Sequence, residues 1–146
     1  MYTIGQVSEM FGLPISTLRY YDKQGLFPNM EREAGIRKFS DNELEALRVI
    51  ECLKKSGLEI KDIKQFMDWC VEGASTSPQR KALVEKQRER LEAELVHMNK
   101  VLDMLKFKCW YYEQATRYGS EDQVQSMISD GLPEDVRRAY ENAHHD

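Results

Sequence analysis

Between Pro78 and Gly119 the chain runs for forty residues, 79–118, without a proline or a glycine. Nothing in that stretch breaks a helix, and a helix of that length spans about 60 Å. Alternating steps of four and three pick out Val84, Arg88, Leu91, Leu95, Met98, Leu102, Leu105, Cys109 and Tyr112 as one seam, apolar throughout from Leu91. A single helix cannot cover such a seam, so a partner helix is required. The rest of the 146-residue chain holds no second helix of that length, so the expected partner is another copy. The residues from Leu91 to Tyr112 on this seam are the expected homodimer interface.

The first half reads as four short helices and a turn-rich insert. Thr3 and Gln6 form a capping-box pattern, followed by Ile4, Val7 and Phe11 on one face. Gly12-Leu13-Pro14 breaks the chain. A second helix is expected from Ile15 to Gln24, stopped by Gly25. Two short helices joined by a tight glycine-containing turn have the pattern of a helix-turn-helix. Residues 28–39, "PNMEREAGIRKF", predict a β-hairpin with its tip near Glu33–Gly35. Ser40 and Glu43 form a second capping box, opening a helix with Leu44, Leu47, Ile50 and Leu53 inward. A fourth helix, from about Ile60 to Glu72, is expected to bury Ile60, Ile63, Phe66, Met67 and Cys70. The expected fold class is dominated by α-helix, and the domains are 1–74 for the head, 75–78 for a linker, 79–118 for the long helix and 119–146 for a short helical tail. In the tail, a segment around Met127–Ile128 and a helix from near Pro133, with Leu132, Val136 and Tyr140 in step, are expected to cap the coiled coil.

Charge is informative by region. Residues 1–78 carry 10 Lys+Arg against 12 Asp+Glu, residues 79–118 carry 9 against 6, and residues 119–146 carry 2 against 7. The head is therefore not basic overall, and a nucleic-acid footprint has to come from local placement. Cys52, Cys70 and Cys109 are an odd, sparse set without a C-x-x-C, which fits a reduced compartment. The opening "MYTIGQVSEM" lacks a secretory pattern, and no apolar run approaches a membrane span, so a cytoplasmic location without membrane contact is expected.

On the second helix Ile15, Leu18 and Tyr21 point one way. Ser16, Arg19, Tyr20 and Lys23 cluster on the other side, with Thr17 at its edge. These are side-chain types that bond phosphate oxygens and base edges in a major groove. An ordinary solvated helix face uses the same types. The context favours the groove: this is the second helix of a helix-turn-helix, a hairpin with Arg37 and Lys38 follows, and a dimer presents two such helices to two half-sites.

The run "YTIGQVSEMFGLPISTLRYYDKQGLFP", with the later "GIRKF" and "SGLEIKDI" and the long helix, resembles the MerR family of bacterial transcriptional regulators over residues 2–118. The resemblance implies a winged helix-turn-helix on an antiparallel coiled-coil dimer. It implies binding to an inverted repeat within a promoter's overlong spacer. It also implies activation by kinking and untwisting double-stranded DNA so that RNA polymerase engages. By matching position, Thr17, Arg19 and Tyr20 are expected to meet the groove and backbone, and Arg37 and Lys38 to grip phosphates. Ser16, Lys23 and Phe39 complete the expected DNA-binding set. Pro14 departs from a common capping serine, and Ile36 and Phe39 stand where tyrosines are common.

Members of the family differ mainly in effector. A thiolate metal site needs at least two ligands within reach, and Cys109 stands alone, so no metal or other cofactor is expected. With 28 residues beyond Tyr118, a large drug-binding domain is not expected. Cys70 and Cys109 are expected to pack. Cys52 points away from the Leu47–Ile50–Leu53 face, between Arg48 and Lys55, and "IECLKKSGL" resembles a subgroup that senses aldehydes and other electrophiles through one cysteine in this helix. The local sequence fits equally a plain cysteine packed against the partner's long helix; the subgroup resemblance implies that Cys52 is the sensor of a small electrophile. One alternative is a pocket for a hydrophobic ligand along Trp110, Tyr111, Tyr112 and Tyr118. Another is a coiled-coil interaction module that binds no DNA. An enzyme is not expected: there is no phosphate loop, no paired-carboxylate cleft and no base for a cysteine nucleophile.

Overall fold

The structure is a computed structural model and describes residues 1–145. Helix α1 (Ile4–Phe11) opens with the Thr3/Gln6 capping box, both reciprocal bonds being present, and closes at Gly12 in a left-handed conformation. Helix α2 (Ile15–Lys23) follows after Leu13 and Pro14. Strands β1 (Glu31–Glu33) and β2 (Ile36–Lys38) pair antiparallel, Arg32 opposite Arg37. Their two-residue turn holds Ala34 and Gly35 at φ of 51° and 79°. Positive φ at both central positions is what a tight hairpin turn matching strand twist requires. Beyond β2, Phe39 bridges Tyr2 through two backbone hydrogen bonds of 2.7 and 2.9 Å, which ties the chain's start to the hairpin's end.

Helix α3 (Asp41–Lys55) opens with the Ser40/Glu43 capping box, and Glu43 is buried with its carboxylate accepting from the Ser40 N–H at 3.1 Å. Helix α4 (Ile60–Glu72) returns after a tight turn at Gly57. Val7, Leu18, Tyr21, Phe39, Leu47 and Ile63 are all but sealed from solvent and lie in one core to which α1, α2, the hairpin's end, α3 and α4 contribute. Cys70 corrects the expectation of core packing. It is exposed at the end of α4, and the apolar stripe goes inward through Ile63 and Met67 instead.

Residues 74–76 form a 3-10 turn, and Thr76 is buried. The Thr76 hydroxyl lies 2.6 Å from the Trp69 carbonyl oxygen and 2.7 Å from that of Gly73. Arg80 donates to Thr76 Oγ1 at 3.1 Å and to the Gly73 carbonyl at 2.9 Å. The stretch with linker composition is therefore a hydrogen-bonded elbow. Helix α5 (Ser77–Tyr118) then runs unbroken for 42 residues.

The chain divides into two compact units, Met1–Arg88 and the remainder from Glu89. In the second unit, helices α6 (Glu121–Asp130) and α7 (Glu134–His144) pack against the end of α5. Phe107 is buried with its ring 4.8 Å from that of Tyr140, and Val124, Val136 and Ala139 are buried too. Helix α6 is longer than the segment expected around Met127–Ile128: Ser120 caps it, and acidic Glu121 and Asp122 occupy its first turn. Away from the tail, Leu91, Leu95, Met98, Leu102, Leu105 and Tyr112 are 41% to 61% exposed. Cys109 is exposed as well. Among the described residues no helix is long and apolar enough to cross a membrane.

Candidate nucleic-acid interface

The rotation of α2 about its own axis is fixed from below. Leu18 is fully buried and Tyr21 nearly so. The Tyr21 hydroxyl donates to Glu51 Oε1 at 2.7 Å and accepts from Lys54 Nζ at 2.9 Å, both on α3. Burial raises the Tyr21 phenol above its ordinary range; the Lys54 bond opposes this and Glu51 adds to it. The Lys54 ammonium is raised too, chiefly by its bond to Tyr21. With the inner face locked in this way, Ser16, Arg19, Tyr20 and Lys23 are exposed together on the outer face and Thr17 is half-buried beside them. Ile15, expected inward, is 37% exposed because it begins the helix directly after Pro14. Pro14 supplies no side-chain cap; its fixed φ of −59° starts the helix instead.

The wing meets α2 through charge. Asp22, a half-buried residue near the end of α2, accepts from Arg37 Nε at 2.7 Å and also from Arg32 Nη2. Arg37 therefore faces α2. Lys38 is its neighbour along the strand and points to the opposite face, 3.9 Å from Glu33. The two cations expected to act together thus serve different faces of the hairpin. Phe39 corrects the sequence reading outright. It is 0% exposed and stands edge-on to Phe27 at 5.7 Å between ring centroids, so it is a core residue and cannot reach DNA. Asp22 and Arg32 are the residues that reading missed, although Asp22 lies inside the quoted "TLRYYD" run.

The architecture and this surface can be set beside known proteins. The family model for MerR HTH family regulatory proteins matches residues 2–69. An HTH-type transcriptional regulator of Haemophilus influenzae is 38% identical over 120 residues, which is 82% of this chain and 89% of that protein. The chain belongs to the MerR family. This MerR-family chain is also 35% identical over 89 residues to the HTH-type transcriptional regulator AdhR of Bacillus subtilis, covering 60% of the one and 64% of the other. Among solved structures, HiNmlR, described as a MerR family regulator lacking the sensor domain and bound to promoter DNA, superposes with a TM-score of 0.70 at 36% identity. That match covers 84% of this chain and 98% of HiNmlR. The family is one of transcriptional regulators and not of enzymes.

The cysteines of this MerR-family chain are all exposed. Cys52 lies on α3 directly after Glu51 and two residues before Lys54, the pair that holds Tyr21 of α2. The guanidinium of Arg48, one turn before Cys52 on α3, pairs with Glu45 and lies 5.8 Å over the Phe11 ring. Lys55 remains on the exposed side. The aromatic end of α5 borders an open cleft of about 700 Å³ within the second unit. Trp110 and Val136 line it, but so do Asp103, Lys106, Glu113 and Arg138, a charged rim unsuited to a purely apolar ligand. Among the described residues no group of three or more His, Cys, Asp or Glu is placed to hold a metal ion.

Proposed function

We propose that this chain binds an inverted repeat in promoter DNA as a homodimer and activates transcription by distorting the DNA when a thiol-reactive electrophile modifies Cys52. One observation carries the DNA reading: the outer face of α2 presents Ser16, Arg19, Tyr20 and Lys23 together while Tyr21 and Asp22 fix that helix to α3 and to the wing. These groups bond phosphates and base edges, and HiNmlR, alike over most of both chains, is a promoter-DNA complex. Likeness to AdhR supports grouping with the electrophile-responsive members.

The chemistry at Cys52 is addition. The thiolate sulfur attacks the carbonyl carbon of an aldehyde, a C–S bond forms, the carbonyl π pair moves to oxygen and that oxygen takes a proton. The thiol is exposed, so no opening motion has to precede attack. Its helix also carries Glu51 and Lys54, so an adduct that tilts α3 shifts the Tyr21 anchor and with it the reading helix. The effector shifts the balance between dimer shapes by its differential affinity for them, and about 1–3 kcal/mol moves that balance several-fold or more.

The test is a promoter-binding and transcription assay with wild type and Cys52→Ser, with and without a small aldehyde. Serine is nearly isosteric and a far weaker nucleophile, so Cys52→Ser binds the operator as wild type does and does not induce. Cys70→Ser and Cys109→Ser keep induction. Induction of Cys52→Ser at the wild-type level removes the thiol from the mechanism.

A further inference from the structure

The wing carries an electrostatic conflict that one residue outside it resolves. Arg32 and Arg37 are direct cross-strand partners, and like charges placed opposite one another on an antiparallel pair repel. The Asp22 carboxylate, with its side chain 9% exposed, receives both guanidiniums on one oxygen. The trio retains one net positive charge. Arg37 engages through Nε and Arg32 through Nη2, which leaves guanidinium donors of both residues for a further anion. The wing's other ion pair, Lys38 with Glu33, lies within the hairpin and fixes nothing to α2.

We propose that Asp22 is a positioning residue for DNA recognition. It docks the wing against the reading helix and holds the two guanidiniums so that their free donors meet one backbone phosphate beside the groove that α2 enters. The proposal rests on the DNA-binding reading above. It makes a counter-intuitive claim, because Asp22 itself brings negative charge towards DNA. If it acted only through its charge, neutralising it would strengthen binding to every sequence. As a positioning residue, its loss frees the wing arginines. Specific binding then falls while non-specific binding holds or rises.

The experiment measures affinity of the full chain for its inverted repeat and for unrelated duplex over a range of salt. Asp22→Asn is close in shape and removes the charge. The specific-to-non-specific ratio falls about tenfold or more, the scale of one lost charge-assisted hydrogen bond. The slope of log affinity against log salt on the specific site becomes shallower by about one, as a phosphate contact is lost. Asp22→Glu, which keeps the charge on a longer arm, recovers part of the ratio. Arg37→Lys keeps the positive charge but loses the Nε bond, and it lowers the ratio too, which carries the test should Asp22→Asn fold poorly. An unchanged ratio in Asp22→Asn or Arg37→Lys, against a selective wild type, overturns the assignment of Asp22. A wild type that does not prefer the inverted repeat overturns the DNA-binding reading itself, a separate outcome.

Discussion

Arg37, Lys38 and Phe39 are consecutive, and each meets a different environment: the Asp22 carboxylate, the outer face of the hairpin and the head's core. Strand alternation separates 38 from 37 and 39, and position separates those two: Arg37 lies opposite Arg32 beside Asp22, whereas Phe39 lies past β2 and bridges Tyr2 over the core. A strand of three residues is too short for that alternation to be read from hydrophobicity, so the aromatic at 39 was legible and its burial was not. Asp22 was illegible as a clamp for a different reason. It lies 10 residues from Arg32 and 15 from Arg37, and the three meet only once the hairpin has folded. The exposed set on α2, by contrast, followed from helical period alone, because Leu18 and Tyr21 fix which side is inner. At this scale the expected outcome for Phe39→Ala is a loss of about 3–5 kcal/mol of stability, the range for truncating a buried phenylalanine. Urea unfolding reads it directly. A variant with an unchanged midpoint but weaker DNA binding would return Phe39 to the DNA surface.

Elements whose signals are local were legible. Both capping boxes join residues three apart: Thr3 and Gln6 exchange both bonds, and the Glu43 carboxylate accepts from the Ser40 N–H at 3.1 Å. The hairpin tip fell where Ala34 and Gly35 make the turn. The elbow at 74–76 was not legible, because Gly, Ala, Ser and Thr have the same composition in a loose linker as in an ordered turn. Its order comes from Arg80, a turn further on, reaching back to Thr76 and Gly73. Helix α6 did have a signal, in Ser120 followed by Glu121 and Asp122, with Val124, Met127 and Ile128 at helical steps. The elbow's importance is testable through Thr76→Val. Valine keeps the shape of the buried side chain but leaves the Trp69 carbonyl without its 2.6 Å partner and Arg80 Nε without an acceptor. The Trp69 carbonyl keeps the Gly73 N–H at 3.1 Å, so the cost is that of the lost hydrogen bonds, about 1 kcal/mol each, and the variant unfolds at a lower urea concentration than wild type. A midpoint equal to wild type makes the elbow's hydrogen bonds incidental.

At the scale of the whole molecule, the second unit uses α5 in two ways. One part of its surface holds the tail: Phe107 meets Tyr140, the Tyr111 hydroxyl accepts from Gln125 at 3.1 Å, and Asn142 donates to Asp103. Another part carries Leu91, Leu95, Met98, Leu102, Leu105 and Tyr112 and remains open in a single copy. Burying one leucine side chain contributes about 1.5–3 kcal/mol, so a second copy covering this stripe gains substantially. In a two-fold interface each residue is used twice, so Leu95→Asp with Leu102→Asp sets two carboxylates from each copy into the seam. An unpaired buried charge costs several kcal/mol, more than the dimer can absorb at several positions. The head keeps its fold, because its core draws on none of these residues. The expected outcome is a dimer in sedimentation for wild type and a monomer for the double variant at the same concentration. Its affinity for an inverted repeat falls to that for a half-site, and its melting temperature no longer rises with protein concentration. A double variant that sediments as the wild-type dimer and keeps full affinity for the inverted repeat removes this stripe from the interface.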